Sequence, residues 1–340
     1  METTFSDTYQ YGRKQSMRKG SNAARVLGSY FWSRINKKAR ISGLPISLSV
    51  EPTTSCNLRC PECPSGLRSF TRPTGMIDMS LYREILNQLG NSLSYMTLYF
   101  QGEPYLHPSF FDMVRLASES NIYTATSTNA HFLDNEMAES TVRSGLDKIV
   151  ISIDGTTQET YERYRVGGQL EKVIRGAEKL VNWKKKLRSK TPYTVFQFLL
   201  MKHNEHQINE IKKIAGKVGI DKVALKTIQV YDHEYGSDLL PLNERYSRYS
   251  KDEKGTFKIS NKLLNHCWRM WQGSVITWDG KVVPCCFDKD ASHVLGDMKE
   301  QTFREIWFGE KYDDFRNSLL KGRSNIDICK NCTEGTRTYL

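Results

Sequence analysis

The chain has 340 residues, of which 39% are hydrophobic and 11% aromatic, and a formal net charge of +11. This much apolar material builds one large domain, or one of about 200 residues with a smaller companion, and excludes a chain too polar to fold. No apolar run approaches the ~20 residues of a membrane span and the N-terminus has no secretory h-region, so a cytoplasmic location is expected, with the eight cysteines held as thiols and metal as their leading use.

The charge is concentrated at the start. Residues 1–40 hold nine basic residues (Arg13, Lys14, Arg18, Lys19, Arg25, Arg34, Lys37, Lys38 and Arg40) against Glu2 and Asp7, a net +7 that leaves +4 for the other 300. Within them, ARVLGSYFWSRINKKAR mixes apolar and basic residues at roughly helical spacing. This basic extension reads as a solvated arm or a helix packed on the body; a peripheral membrane contact or an acidic partner is the alternative. No aromatic-and-basic stripe continues beyond it, which argues against nucleic acid.

From residue 46 short β-branched and aromatic runs alternate with longer helical ones, the pattern of parallel βα units in an α/β fold. The predicted strands are ISLSVEP (46–52), YMTLYFQG (95–102), YTATSTN (123–129), KIVISID (148–154), TVFQFLLM (194–201) and KVALKTIQV (222–230). Helices are predicted over 79–90, 108–120, 134–144, 169–187 and 205–218, with Ser80 and Asp134 where N-caps are expected. Six such units form an open doubly wound sheet or a partial barrel, and either gathers ligands at its C-terminal strand ends. Past residue 235 the rhythm breaks. A polar, tyrosine-rich stretch (235–260) leads to a segment with five of the eight cysteines and four of the six tryptophans. The expected division is a basic extension (1–45), a βα unit (46–235) and a small metal-organised domain (236–340).

Cys56, Cys60 and Cys63 follow the first predicted strand as CxxxCxxC. Thiolates favour zinc, copper(I) or iron–sulfur clusters. Zinc would want a fourth Cys or His close by, and the nearest histidine, His107, lies more than forty residues on. Three thiolates make chemical sense on a cubane cluster if one iron stays open to bind a substrate-like molecule; zinc completed at long range and three buried thiols are the alternatives. Pro61 and Pro64 stiffen the loop, and Gly66 lets it turn tightly.

CxxxCxxC after the first strand of a six-stranded βα unit resembles the radical S-adenosylmethionine (SAM) superfamily. The resemblance implies a partial (β/α)6 barrel, a [4Fe–4S] cluster on Cys56, Cys60 and Cys63, and SAM chelated at its open iron. It further implies reductive cleavage of SAM to a 5′-deoxyadenosyl radical that abstracts a hydrogen atom. The chain departs from the family at Glu62, a position that is often aromatic there. QGEP (101–104) is similar to the family's GGEP, which implies that Glu103 accepts a hydrogen bond from the SAM amino group and that Gly102 permits close backbone approach. STN (127–129) implies Ser127 and Asn129 on the ribose hydroxyls, with ordinary turn residues as the alternative. ISIDG (151–155) puts Ser152 and Asp154 at the next strand end, and Arg165 of YERYR would pair with the SAM carboxylate or else form a surface salt bridge.

In the C-terminal segment Cys267, Cys285 and the CxxC pair Cys329 and Cys332 offer four thiolates to zinc or to a second cubane. WDGKVVPCCFD, LGDMKEQTFREIW and the final CxxC are similar to the SPASM/twitch extension of radical SAM enzymes in its shorter form, which implies an auxiliary [4Fe–4S] cluster. The GxxxxC spacing favours Cys285 as ligand. Cys286 is then either a small buried hydrophobe or a hydrogen-atom donor that quenches a substrate radical. A cluster with all four thiolates implies electron transfer, hence two-electron oxidation of a small molecule such as a sugar or cyclitol, with flavodoxin or ferredoxin as electron donor. Crosslinking, epimerisation or maturation of a peptide is the second reading, and a non-catalytic zinc protein holding nucleic acid the third.

Overall fold

The computed structural model describes residues 5–260 and 262–333. Two helices lead the chain, α1 (Phe5–Arg13) and α2 (Met17–Asn36), the second opened by Ser16, whose side chain accepts from the Lys19 N–H. Then come β1 (Ser47–Val50), the short α3 (Pro64–Leu67), α4 (Met79–Leu89), β2 (Tyr95–Leu98), α5 (Phe110–Glu119), β3 (Tyr123–Thr128), α6 (Asn135–Arg143) and β4 (Lys148–Ser152). The unit is completed by α7 (Gln158–Glu162), α8 (Leu170–Lys186), β5 (Tyr193–Leu200), α9 (Ile208–Val218) and β6 (Lys222–Thr227). All six predicted strands and all five predicted helices are present, the strands ending earlier than their apolar runs suggested. Asp134 caps α6 through the Met137 N–H, as expected. The cap of α4 is Asp78 rather than Ser80, whose N–H donates to the Asp78 carboxylate.

Strands β1 to β6 lie side by side in sequence order and all pair in parallel. A doubly wound sheet would reverse its order at a switch point. An unbroken order with helices after each of β1 to β5 curls instead into a partial barrel, which settles the choice the sequence left open. Leu48, Val50, Met96, Leu98, Ile149 and Ile151 join the hydrophobic core with the helices. Their neighbours on the same strands, Ser47, Ser49, Tyr95 and Thr97, face a cavity inside the barrel. This alternation of apolar and polar residues separates core from lumen.

The C-terminal region contributes β7 (Tyr249–Lys251) and β8 (Phe257–Ile259) as a separate hairpin, α10 (Arg269–Gln272), and then β9 (Gly273–Ile276), β10 (Lys281–Val283) and β11 (Gly296–Asp297). Helices α11 (Phe303–Trp307), α12 (Glu310–Gly322) and α13 (Asp327–Lys330) follow. β9 pairs in parallel with β1, so the last three strands extend the barrel sheet past its first edge.

The basic extension is folded onto the body. Asp7 of α1 is buried at the start of β3 and β4, where it accepts from the Tyr123 hydroxyl and from Lys148 Nζ at 2.7 Å. Lys14 meets the buried Asp147 at 2.5 Å, and Lys19 Nζ donates to the Asn121 carbonyl at 2.6 Å. Val26 and Tyr30 of α2 complete the seal, with the Tyr30 ring edge-on to Trp268 and Trp271.

Candidate active site

The loop after β1 carries the three cysteines across the C-terminal rim of the barrel. It is held by backbone contacts that leave no room for side chains: a Cβ on Gly66 would lie 2.5 Å from the Cys60 nitrogen, and one on Gly102 would lie 2.3 Å from the Thr53 carbonyl oxygen. Gly102 also has φ +72°, a conformation that suits glycine. The Gly102 N–H donates to Ser65 Oγ at 2.9 Å and the Glu103 N–H to the Ser55 carbonyl at 2.7 Å, so the QGEP turn is tied to the cysteine loop.

Cys56, Cys60, Cys63, Gly102, Glu103, Ser127, Asn129, Ser152 and Arg165 all line one cleft, joined by Tyr99, Thr128 and Ser65. The rim positions read from sequence therefore converge. Glu103 is 2% exposed, and its carboxylate takes Thr128 Oγ1 at 2.7 Å, the Asn129 N–H at 2.7 Å and the Tyr105 N–H at 3.3 Å. Burial pushes its pKa up to about 7, against the lowering effect of those donors. Ser127 and Ser152 come from the inward positions of β3 and β4.

Two residues are more committed than expected. Asn129 donates through Nδ2 to Asn57 Oδ1 at 2.7 Å and lies 3.9 Å from Cys56 Sγ, which makes it a bracket for the cysteine loop. Arg165 gives its Nε to Asp154 at 2.5 Å in a buried pair, with Nη1 3.8 Å from Cys60 Sγ; it is not a surface salt bridge. Asp154 is held in turn by the Leu199 N–H at 2.7 Å. At Glu62 the side chain accepts from the Tyr231 N–H at 3.0 Å, and the Tyr231 hydroxyl accepts from Lys289 at 3.0 Å. Thr128, Asn57 and Tyr231 escaped the sequence reading because nothing in their local pattern marks them.

A second small pocket is lined by Cys267, Cys285, Cys329 and Cys332 with Arg269, Phe287, Phe315 and Arg323. Arg323 Nη2 donates to Cys332 Sγ at 3.3 Å, a cation placed beside the thiols. The adjacent cysteine turns away. Cys286 packs against the small cluster of Phe100, Val275 and Val283 and faces the barrel lumen, 3.9 Å from Arg269 Nη1.

Both thiol sets fit iron–sulfur clusters, because each lines a pocket of its own, as a polynuclear group with one thiolate per iron requires. Burial pushes Cys56 up to about 12 and Cys329 to about 11, so these sulfurs ionise when a cation sits against them. Four of the set around Cys267 and three of the set around Cys56 match a closed and an open cluster.

A separate cavity of about 590 Å³ lies inside the barrel, lined by the opening residues of β1, β2, β3 and β4 and reached by Cys285 of the second thiol set. Its wall carries hydroxyls from Ser47, Ser49, Tyr95, Thr97 and Tyr123, with Asp7, Thr8 and Tyr11 of α1 as the floor and Cys285 and Cys286 at one side.

Residues 50–215 match the model of the radical SAM superfamily, and residues 267–333 match that of an iron–sulfur cluster-binding domain, SPASM. The chain is 27% identical over 305 residues to the tungsten-containing aldehyde ferredoxin oxidoreductase cofactor-modifying protein of Pyrococcus furiosus, covering 79% of this chain and 82% of that one. It is 24% identical over 291 residues to the S-adenosyl-L-methionine-dependent 2-deoxy-scyllo-inosamine dehydrogenase of Niallia circulans, covering 84% and 91%. The fold superposes on that of BtrN in complex with AdoMet and 2-DOIA with a TM-score of 0.54 at 20% identity, over 88% of this chain and 97% of that one. No described helix is long and apolar enough to cross a membrane. The chain belongs to the radical SAM superfamily: it is an enzyme with a SPASM region, and its cofactors are [4Fe–4S] clusters and SAM.

Proposed function

We propose that this enzyme oxidises a small hydroxylated molecule, of the sugar or cyclitol class, by two electrons inside the barrel lumen. The observation that carries the reading is the cavity in the barrel lumen, about 590 Å³, rich in hydroxyls and bordered by Cys285 of the second thiol set. That volume suits a single small ligand in a concave, mostly preformed site. The similarity to a 2-deoxy-scyllo-inosamine dehydrogenase supports the same class.

Cys56, Cys60 and Cys63 would hold the open cluster, and Cys267, Cys285, Cys329 and Cys332 the closed one. With both clusters and SAM bound, the cofactors supply a 5′-deoxyadenosyl radical for hydrogen abstraction and a sink for the second electron. The chain's own side chains set the geometry. Glu103, fixed by three donors, presents its remaining lone pairs to the SAM amino group, and Gly102 gives the backbone access. Arg165, oriented by Asp154, directs its terminal nitrogens into the cleft toward the SAM carboxylate. Ser127 and Ser152 offer hydroxyls along the ribose, while Asn129 holds the cysteine loop in register. In the lumen Tyr95, Tyr123, Ser49 and Thr97 orient substrate hydroxyls, and Lys148, paired with Asp7, brings an ammonium to this wall. Cys286 puts a thiol on the same cavity.

The reading divides the chain into a SAM-binding barrel (46–235) and an auxiliary-cluster region (236–340). It calls for a reducing cytoplasmic setting and a flavodoxin or ferredoxin as electron donor, in keeping with eight free thiols. The test is a dithionite-reduced holoenzyme given SAM and a panel of aminocyclitols, sugars and short peptides, with product mass and 5′-deoxyadenosine measured together. Stimulation by a cyclitol or sugar, with loss of two hydrogens from that compound, is the expected result. Stimulation by peptides alone would transfer the enzyme to peptide modification.

A further inference from the structure

The outer face of α2 has no partner that the fold or the active site explains. Among the described residues, half of the sixteen large hydrophobic side chains left exposed lie within residues 5–35. On α2 the buried side is formed by Asn22, Val26, Ser29, Tyr30 and Ser33. At 100° per residue, Leu27, Phe31 and Ile35 fall on a single stripe opposite that side. They are 44%, 48% and 80% exposed, with Trp32 next to the stripe at 37%. Basic residues border it on both flanks, Arg34 on one and Arg18 and Arg25 on the other, and Lys37, Lys38 and Arg40 follow at the helix end. Arg40 lies over the Trp32 ring at 5.3 Å and Arg34 over Phe31 at 5.9 Å, so the cations frame the aromatic surface. Asp7 is the sole acid among residues 5–40 and is buried beneath α1, so residues 5–40 themselves expose no carboxylate.

We propose that this face of α2 docks the enzyme on an anionic lipid surface, with Leu27, Phe31, Trp32 and Ile35 entering the headgroup boundary and the surrounding Arg and Lys residues meeting lipid phosphates. An apolar stripe bounded by cations is the chemistry of a helix lying in a bilayer interface. Charge decides the occupant. A second copy would set the same seven exposed cations of residues 5–40 against each other. An acidic protein would need a groove matched to the stripe, whereas an anionic bilayer satisfies the apolar centre and both flanks in any register. Because α2 turns its other face to the body, docking requires no unfolding of the extension.

The test is co-sedimentation of the full-length holoenzyme with vesicles of phosphatidylcholine alone and of phosphatidylcholine with phosphatidylglycerol. Binding to the anionic vesicles is expected to exceed binding to the neutral ones by about tenfold or more, and to fall in high salt. The F31E/I35E and R25E/R34E variants are each expected to lose about tenfold in vesicle binding. Both lie outside the catalytic machinery, so iron content and SAM cleavage should match the parent enzyme and report that the variants fold. Equal binding to both compositions, no binding to either, or variants that sediment like the parent would each overturn the proposal. So would binding of flavodoxin that these variants abolish while anionic vesicles are ignored, since the face would then belong to a protein partner.

Discussion

Replacing Glu103 with glutamine tests the rim geometry and its electrostatics in one change. The carboxylate is buried and accepts from three donors, Thr128 Oγ1, the Asn129 N–H and the Tyr105 N–H. Glutamine can turn its oxygen to the Asn129 N–H and its amide to the Thr128 hydroxyl, which leaves the Tyr105 N–H unmet at a cost of about 1–3 kcal/mol. Against this, the burial that raises Glu103 from 4.5 to about 7 penalises its charged form. By linkage that penalty is on the order of 3 kcal/mol above pH 7. The sign follows from the direction of the shift. A carboxyl raised in the folded state has its full relative stability below pH 4.5 and loses it as pH climbs through about 7. The apo-protein should therefore lose stability between those values, and E103Q should lose much less. SAM binding runs the other way. Its ammonium favours the carboxylate, so affinity for the parent enzyme should drop as pH falls below about 7, by up to about tenfold per pH unit. Losing the charge-assisted hydrogen bond in E103Q should cost about 1.5–3 kcal/mol, or roughly 10- to 150-fold in affinity at pH 8, with little pH dependence left. Calorimetric titration of SAM into cluster-loaded enzyme at several pH values measures all of this. An E103Q variant that binds SAM as tightly as the parent at pH 8, or that keeps the same pH profile, would refute the assignment.

The two thiol sets should separate by iron count: C56A/C60A/C63A retains about four of about eight irons and no SAM cleavage, and C267A/C329A/C332A also retains about four. C286A should keep all of its iron, and a variant that lost half would make Cys286 a ligand. Gly102→Ala brings a methyl to within 2.3 Å of the Thr53 carbonyl oxygen at φ +72°. It should displace the turn and abolish SAM binding while the auxiliary cluster's absorbance stays, and a variant with unchanged SAM affinity would argue against close packing here. Lys14→Met strips the buried Asp147 of its ammonium partner, which should cost about 3–5 kcal/mol in urea denaturation, with K14M/D147N recovering part of the loss.

The sequence by itself determined the parts of this enzyme that are local. Strands announce themselves through β-branched runs, α6 through the cap at Asp134, and the cluster loop through three cysteines that must sit within one turn of chain. Glu103 was legible through the resemblance of QGEP to the superfamily's GGEP at the end of the second strand. Tertiary structure decided what depends on contacts between distant segments. The choice between barrel and open sheet rested on strand order in space, and β9 beside β1 joins residues more than 200 positions apart with no periodic sign of the pairing. Asn129 became a bracket for the cysteine loop and Arg165 a buried partner of Asp154 because hydrogen-bonding side chains are claimed by whichever donor or acceptor the fold brings within 3 Å. Asp7, an ordinary acid near the start of a basic arm, became part of the floor of the lumen once Tyr123 and Lys148 enclosed it. Local spacing specifies which atoms can bind a cofactor; burial and cross-chain pairing specify which of them remain available to do so.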